Sequence, residues 1–247
     1  MINPIRPLVI ALTLLASLAA VPASAQAPAT PDEWQKDVTI YLFGASLDGT
    51  VGALGRTAVV EQSFSDILGN LEFGAMGAFR MSKGRWQVST DFAYTGLGVT
   101  AQTPPADINI KTSWLDITAG YAVKPGVSLL FGGRLNRMKN EVAFKDATRV
   151  KVDASKTWLD PEVGVALAKP ISDKFVARFR GDIGGFGVGS DFAWQLVPAL
   201  AWKASPKASL LFAYRVISTD YSSGEGLKTF TYDAVMSGPA VAFTLHF

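Results

Sequence analysis

The sequence lacks cysteine altogether and holds a single histidine, His246, among 247 residues. Without cysteine there is no disulfide framework and no thiolate metal site. One histidine at the penultimate position leaves little for imidazole chemistry: the sequence places no partner beside it for a serine–histidine pair or for a metal set. An excess charge is missing too, with 23 basic residues against 21 acidic ones. That balance gives no general pull toward nucleic acid or an acidic partner. Long apolar runs are confined to one, from Leu8 to Ala20, behind Arg6 and ahead of Ala23-Ser24-Ala25. Those are the charged, apolar and small-residue parts of a secretory leader, with cleavage expected after Ala25. The run is shorter than the roughly 20 residues of a membrane-spanning helix. The expected organisation is a leader over 1–25, a short Ala/Pro/Thr linker over 26–36 and one domain over 37–247.

What the sequence does have is alternation. From Val235 onward one face carries Val235, Pro239, Val241, Phe243, Leu245 and Phe247, and the other is small or polar except for Met236. A period of two with one apolar face marks a strand. A chain that ends on its most regular strand is what a closed barrel needs, because the last strand must pair with the first. Upstream, β-prone stretches are separated by two kinds of break. Short ones occur at Ser82-Lys83-Gly84, Lys124-Pro125-Gly126, Ile171-Ser172-Asp173 and Ser205-Pro206-Lys207. Longer polar or glycine-rich ones cover 48–70, 101–107, 139–155, 184–191 and 218–229. The two kinds alternate strictly, as short periplasmic turns and longer extracellular loops do. The fold class expected is all-β, a transmembrane antiparallel up-and-down barrel of ten strands. A count of eight or twelve stays open, since 51–62 could be a strand pair or an extension above the membrane.

Charge placement orients the faces, because a charge on the lipid face near the midplane costs about 2 to 4 kcal/mol. With Arg80 inward, Phe73 and Phe79 face out; with Asp91 inward, Trp86, Val88 and Phe92 do. Asp116 inward exposes Leu115 and Ile117, and Arg134 inward exposes Leu129, Phe131 and Leu135. Asp160 and Glu162 inward leave Leu159, Val163 and Leu167 outside. Arg178, Arg180 and Asp182 stand against Phe175, Phe179 and Ile183, while Gln195 and Arg215 orient the next two strands. The first strand alone is ambiguous, with Ile40 and Leu42 on one face and Tyr41 and Phe43 on the other. Outward Trp86, Tyr121, Phe175, Trp202 and Phe247 fall beside the short turns, where an aromatic girdle belongs.

At this point the residues carry a resemblance. Tyr41-Leu42-Phe43 with Leu47-Asp48-Gly49-Thr50-Val51-Gly52, then Phe64-Ser65-Asp66-Ile67-Leu68-Gly69-Asn70-Leu71, the stretch from Gly181 to Asp191, Tyr232-Asp233 and Gly238-Pro239 are similar to an uncharacterised family of small proteobacterial outer-membrane barrels. Phe43 stands where the resemblance leads one to expect Trp. The resemblance implies a barrel in the outer membrane and brings no activity with it. It also implies that Val241, Phe243, Leu245 and Phe247 form the insertion signal read by the barrel-assembly machinery.

The inward charges are the candidate site: Arg80, Arg134, Arg178, Arg180 and Arg215 against Asp91, Asp116, Asp160, Glu162 and Asp182. An eight-stranded barrel is just filled by side chains, so ten strands should be nearly filled. Balanced charge in a narrow lumen suggests a salt-bridged plug; the alternative is a thin polar path or gated pore. Asp160 with Glu162, and Asp91 with Asp116, have the look of paired carboxylates for acid/base work, but nearby arginines argue for ion pairs instead. The expectation is therefore no enzyme, no cofactor and no metal. The glycine-rich stretch from Gly184 to Gly189 lacks the lysine and hydroxyl of a phosphate loop and reads as a flexible turn. Phe64, Ile67, Leu68 and Leu71 have helical spacing with Ser63 or Ser65 as N-cap, which suggests a short helix capping or entering the barrel mouth, the alternative being a surface loop. Arg137, Lys139, Lys145, Arg149, Lys151 and Lys156 outnumber Glu141, Asp146 and Asp153 in the third long loop, where cations could pair with lipopolysaccharide phosphates. Expected partners are thus membrane lipid, lipopolysaccharide and the assembly machinery, and not nucleic acid.

Overall fold

The computed structural model describes residues 33–53, 56–102, 105–144 and 151–247. The expected leader and most of the expected linker lie outside these residues, as do Lys145, Asp146 and Arg149. Strands run in chain order as β1 (Gln35–Phe43), β2 (Ser46–Ala53), β3 (Arg56–Gln62), β4 (Leu71–Lys83), β5 (Trp86–Gln102), β6 (Pro105–Lys124) and β7 (Val127–Phe144). They continue as β8 (Lys151–Pro170), β9 (Phe175–Gly184), β10 (Phe192–Ser205), β11 (Ala208–Ser223) and β12 (Phe230–His246). One helix, α1 (Phe64–Gly69), precedes β4, and a 3₁₀ turn, Gly226–Lys228, precedes β12.

The strands from β4 to β12 pair antiparallel with their sequence neighbours, and β1 pairs with both β4 and β12. Ten strands therefore close into a barrel with no free edge around its base, the arrangement that satisfies backbone groups inside lipid. The seam runs from Asp37 opposite His246 to Phe43 opposite Ala240. It is finished by Phe247, whose N–H donates to the Lys36 carbonyl at 2.9 Å while the Lys36 N–H donates back at 3.1 Å. Strand β1 thus begins at Gln35, inside the segment expected to be linker.

Three boundaries differ from the sequence reading. The expected first strand over 37–47 breaks at Gly44 and Ala45, and the chain resumes as β2, which pairs with the far half of β12 and then with β3. At the break the backbones touch: a β-carbon on Gly238 would lie 1.9 Å from the Gly44 carbonyl oxygen. Second, β7 runs on to Phe144 and β8 begins at Lys151, so much of the expected loop over 139–155 is strand, and Lys139 and Glu141 sit in the ladder as Arg137 and Lys156 do. Ladder hydrogen bonds satisfy the backbone whatever the side chains, so pairing persists in polar sequence. Third, β4 pairs with β1 only as far as Gly77 opposite Ile40, and above that point it holds β5 alone.

Helix α1 occupies the step so created. The Phe64 ring lies 3.2 Å from where a β-carbon on Gly44 would be. Ser63 is the N-cap, accepting from the Asp66 N–H at 3.3 Å, while Asp66 Oδ2 accepts from the Ser63 hydroxyl at 2.6 Å and N–H at 3.0 Å. This reciprocal pair is a capping box with Asp in the third position. The Ser63 hydroxyl, then its N–H, hold the Asp66 carboxyl below the usual range. Its capping contribution is present above that range and is lost as pH falls through the lowered value.

Ile40 and Leu42 of β1 point outward, 65% and 77% exposed, and Tyr41 and Phe43 point in, which resolves the one ambiguous strand. Phe73, Trp86, Ile117, Phe131, Leu159 and Phe212 are exposed on the same outer surface. A continuous apolar belt of this kind is what a membrane-spanning barrel presents. Beside the short turns Trp86 packs on Tyr121 at 4.8 Å between ring centroids, with the Arg85 guanidinium 4.9 Å above the Tyr121 ring.

The contact between Gly238 and Gly44 gives a direct test. Gly238→Ala should lower stability in a denaturant titration of the detergent-folded protein by about 1–3 kcal/mol, the usual cost of overpacking. Gly74→Ala, whose added carbon meets Leu71 only at an ordinary 3.7 Å, should not. Equal midpoints for the two variants would contradict the close approach.

Candidate functional site

Register builds the lumen. Asp91, Asp116, Arg134 and Asp160 are successive cross-strand partners on β5, β6, β7 and β8. Because strands alternate their side chains, all four project to the same inner face. The slope of the strands brings Glu162 of β8 and Arg180 and Asp182 of β9 to the same level, and these residues meet across the interior.

At the centre, Arg134 Nη2 lies 3.1 Å from Asp116 Oδ2, 2.8 Å from Glu162 Oε1 and 3.4 Å from Asp182 Oδ1. Arg180 reaches Asp116 at 2.8 Å, Asp182 at 2.8 Å and Glu162 at 3.6 Å. Gln195 extends the chain by donating to Asp182 Oδ2 at 3.0 Å and accepting from Arg215 Nε at 2.8 Å. Arg215 then meets Asp91 at 3.2 Å and the Tyr41 hydroxyl at 3.1 Å, and Tyr41 donates to Asp91 at 2.6 Å. The result is one connected network from β1 across to β8. Asp116, Arg134 and Glu162 within it are no more than 3% exposed.

The network differs in membership from the ten charges marked in the sequence. Three arginines, Arg134, Arg180 and Arg215, face four carboxylates, Asp91, Asp116, Glu162 and Asp182. Asp160 makes no ion pair among the described residues. Neutral donors hold it instead: the Ser190 N–H at 2.6 Å, the Ser190 hydroxyl at 3.0 Å, Asn136 at 2.8 Å and the Trp158 indole at 3.1 Å. Asp160 thereby ties the β9–β10 loop into the barrel. That loop is no loose turn: Gly185 and Gly187 take positive φ, Phe186 does too at 51°, and a β-carbon on Gly189 would strike the Leu159 carbonyl at 2.3 Å.

Arg80 also stands apart. It grips Asp37 Oδ2 through Nε at 2.9 Å and Nη2 at 2.7 Å, near the short-turn mouth. Arg178 makes no hydrogen bond or ion pair among the described residues; it lies toward the short-turn end of β9, opposite Ala199 of β10. His246 is not the partnerless rim residue expected. Its Nδ1 lies 2.7 Å from Asp37 Oδ1 and its Nε2 2.9 Å from Ser209 Oγ. Those partners lie far away in sequence, and only barrel closure joins them. Asp37 was within reach of sequence reasoning, because it shares the inward face of β1 with Tyr41.

Above the network the lumen turns apolar and aromatic. Trp158 stacks on Tyr221 with centroids 4.1 Å apart and planes 10° apart, and Phe230, Tyr232 and Met138 complete this cluster. A second group joins Phe43, Trp114 and Ile217, with the Arg215 guanidinium 5.1 Å from the Trp114 ring. The two clusters border a small cleft whose floor includes Arg134 and Asn136. The lumen is thus layered: a mouth holding Arg80, Asp37 and His246, a charged middle and an aromatic upper half. Among the described residues no group of His, Cys, Asp and Glu could hold a metal ion. The lower rim carries the C-terminal face, with Val241, Phe243, Leu245 and Phe247 all exposed outward.

No protein family and no curated protein matches this sequence. Solved structures do resemble its fold. Ail, the attachment invasion locus protein of Yersinia pestis, is similar at 12% identity over 87% of this chain and 99% of its own, with a TM-score of 0.41. The outer membrane protease OmpT of Escherichia coli is similar at 7% identity over 91% and 98%, with a TM-score of 0.45. The translocator domain of the autotransporter NalP from Neisseria meningitidis is similar at 13% identity over 98% and 96%, with a TM-score of 0.44.

The central cluster and the mouth should respond differently to loss of a cation. Removing one member of a buried pair leaves uncompensated charge and costs about 3–5 kcal/mol. Arg134→Met should therefore lower stability of the folded protein by that order, whereas Arg178→Met, which breaks no pair, should leave the unfolding midpoint near that of the parent. A central variant as stable as the parent would show that the ion pairs contribute nothing to the fold.

Proposed function

We propose that this protein is an outer-membrane barrel with a plugged lumen, serving as a structural or interaction protein and not as an open diffusion pore. The observation that carries this reading is the connected network from Tyr41 to Glu162, which spans the interior with its central charges buried. Solutes would have to break several ion pairs at once to pass. Export by the expected leader and insertion through the C-terminal strand belong to the same reading. Val241, Phe243, Leu245 and Phe247 offer the assembly machinery an outward face, and recognition by strand addition would use that edge before closure. Lipid is the partner of the apolar belt. At the long-loop end the outward Arg137 and Lys139 offer cations to lipopolysaccharide phosphates, whereas Lys156, opposite Met138, shares the inward face with Trp158; Lys139 and Lys111 also pair with Glu141.

A narrow channel is the second reading. It draws on buried polar atoms inside the network, Arg134 Nε and Arg215 Nη2, which make no hydrogen bond among the described residues. Such donors are usually satisfied by buried water, and a file of waters is what a thin conducting path requires.

Planar bilayers distinguish the two. The purified protein should show no stable unitary openings, and the double variant Arg134→Ser with Arg180→Ser should produce them. Stable openings in the parent, altered by Arg180→Ser alone, would establish the channel instead.

Orientation has its own test. A protease site inserted at Gly187 or Gly226, on the long-loop side, should be cut on intact cells, and one at Gly84, in the β4–β5 turn, should not. The reverse pattern would overturn the orientation.

A further inference from the structure

The mouth at the short-turn end holds three side chains whose mutual geometry has a chemical meaning of its own. Asp37 and His246 are cross-strand partners on β1 and β12, and Ser209 of β11 is paired with Thr244, two residues from His246 on the same inward face. The His246 ring lies between the other two groups, 2.7 Å from Asp37 Oδ1 through Nδ1 and 2.9 Å from Ser209 Oγ through Nε2. Asp37 is held from its other oxygen by Arg80. An ionised carboxylate can only accept, so Nδ1 carries the ring proton, and in the neutral ring Nε2 is left with a lone pair facing the serine hydroxyl. A nucleophile, a base and a group that orients the base, each within hydrogen-bond reach of the next, is the general arrangement for covalent catalysis.

We infer that Ser209, His246 and Asp37 form an ester-cleaving site at the lumen mouth, with Ser209 as nucleophile, His246 as proton carrier and Asp37 as positioning residue. Ser209 Oγ adds to the ester carbonyl carbon and passes its proton to His246 Nε2. Collapse of the tetrahedral adduct breaks the bond to the alcohol oxygen, which takes that proton and leaves. Water then adds to the acyl-serine, its proton going to Nε2 and on to Ser209 Oγ as the free acid departs. No further reactant is needed.

Two surrounding features set the substrate class. The backbone N–H groups of His246 and Phe247, beside the site, donate to the Lys207 and Lys36 carbonyls, so they offer no oxyanion hole. Positive charge at the mouth comes from Lys203, the cross-strand partner of Ser209 on β10, from Arg80, and from Arg178, the inward arginine without an ion pair among the described residues. The site therefore suits a small carboxylic ester bearing a nearby anionic group. The side chain of His246 is 28% exposed while Ser209 is 7% exposed, so approach is from the mouth, past the imidazole. The plug described above lies beyond this site and is unaffected by it.

The decisive experiment is labelling of the folded, heat-modifiable protein in micelles with a fluorophosphonate, which forms a stable adduct with an activated serine. Mass spectrometry should place the adduct on Ser209. It should be lost in Ser209→Ala and in His246→Asn, and kept in Ser89→Ala, an inward serine whose hydroxyl meets Thr118 and no imidazole. The nitrophenyl monoester of succinate should be cleaved faster than nitrophenyl acetate, and Arg178→Gln should raise KM for the succinate ester alone. Asp37→Asn should lower kcat on the order of a hundredfold or more with little change in KM, as loss of an oriented base requires. An unlabelled Ser209 in the folded parent, or hydrolysis unchanged by Ser209→Ala, would reduce the three residues to a clamp on the closing seam and overturn the inference.

Discussion

Closure of the hydrogen-bond ladder is the constraint on which everything else in this molecule depends. In lipid an unpaired backbone group costs several kcal/mol, so the first and last strands must meet. They do so over the register from Asp37 to Phe43 and through Phe247, which exchanges two backbone hydrogen bonds with Lys36. That same seam joins residues more than two hundred positions apart. The Asp37–His246–Ser209 relay exists only because the seam is shut.

Closure also decides where charge can go. With the outer face given to lipid, ionisable side chains on the spanning strands turn inward, and ten strands leave too little room for each to keep its own water. The solution is not a uniform set of pairs. Buried guanidinium groups gather carboxylates in the centre, Asp160 is satisfied by neutral donors that tie down a loop, and Arg80 with Asp37 serves the mouth. An aromatic layer then fills the upper lumen, where Trp158 stacks on Tyr221. Polar and apolar matter are sorted along the barrel axis as well as between its inside and outside.

Much of the architecture could be read from residue order because the signals are local. Alternation in Val235 to Phe247, short turns at Gly84 and Gly126, and single charges such as Arg134 and Asp116 each assign a face without knowledge of any neighbour. A period of two suffices for that, since one position in error would turn a whole strand inside out. The capping of α1 was equally local, with Ser63 three residues from Asp66. The first strand was left open because Ile40, Tyr41, Leu42 and Phe43 make both faces apolar, and the charge that chooses between them, Asp37, stands at its very start. Its break at Gly44 was also out of reach, because it depends on the contact with Gly238 across the seam.

The sequence by itself determined an antiparallel barrel, with ten strands expected and eight or twelve left open, the sidedness of nearly every strand and most of the charges that line it, since faces follow from the pattern along one strand. Only the tertiary structure decided which charges meet. Pairing depends on how far each strand is shifted against the next and on reach across the lumen, and neither quantity is written in any local window. Hence Arg180 finds Asp116 at a distance of 64 residues, Asp160 turns to Ser190 rather than to an arginine, and His246 acquires two partners that its neighbours in sequence do not suggest.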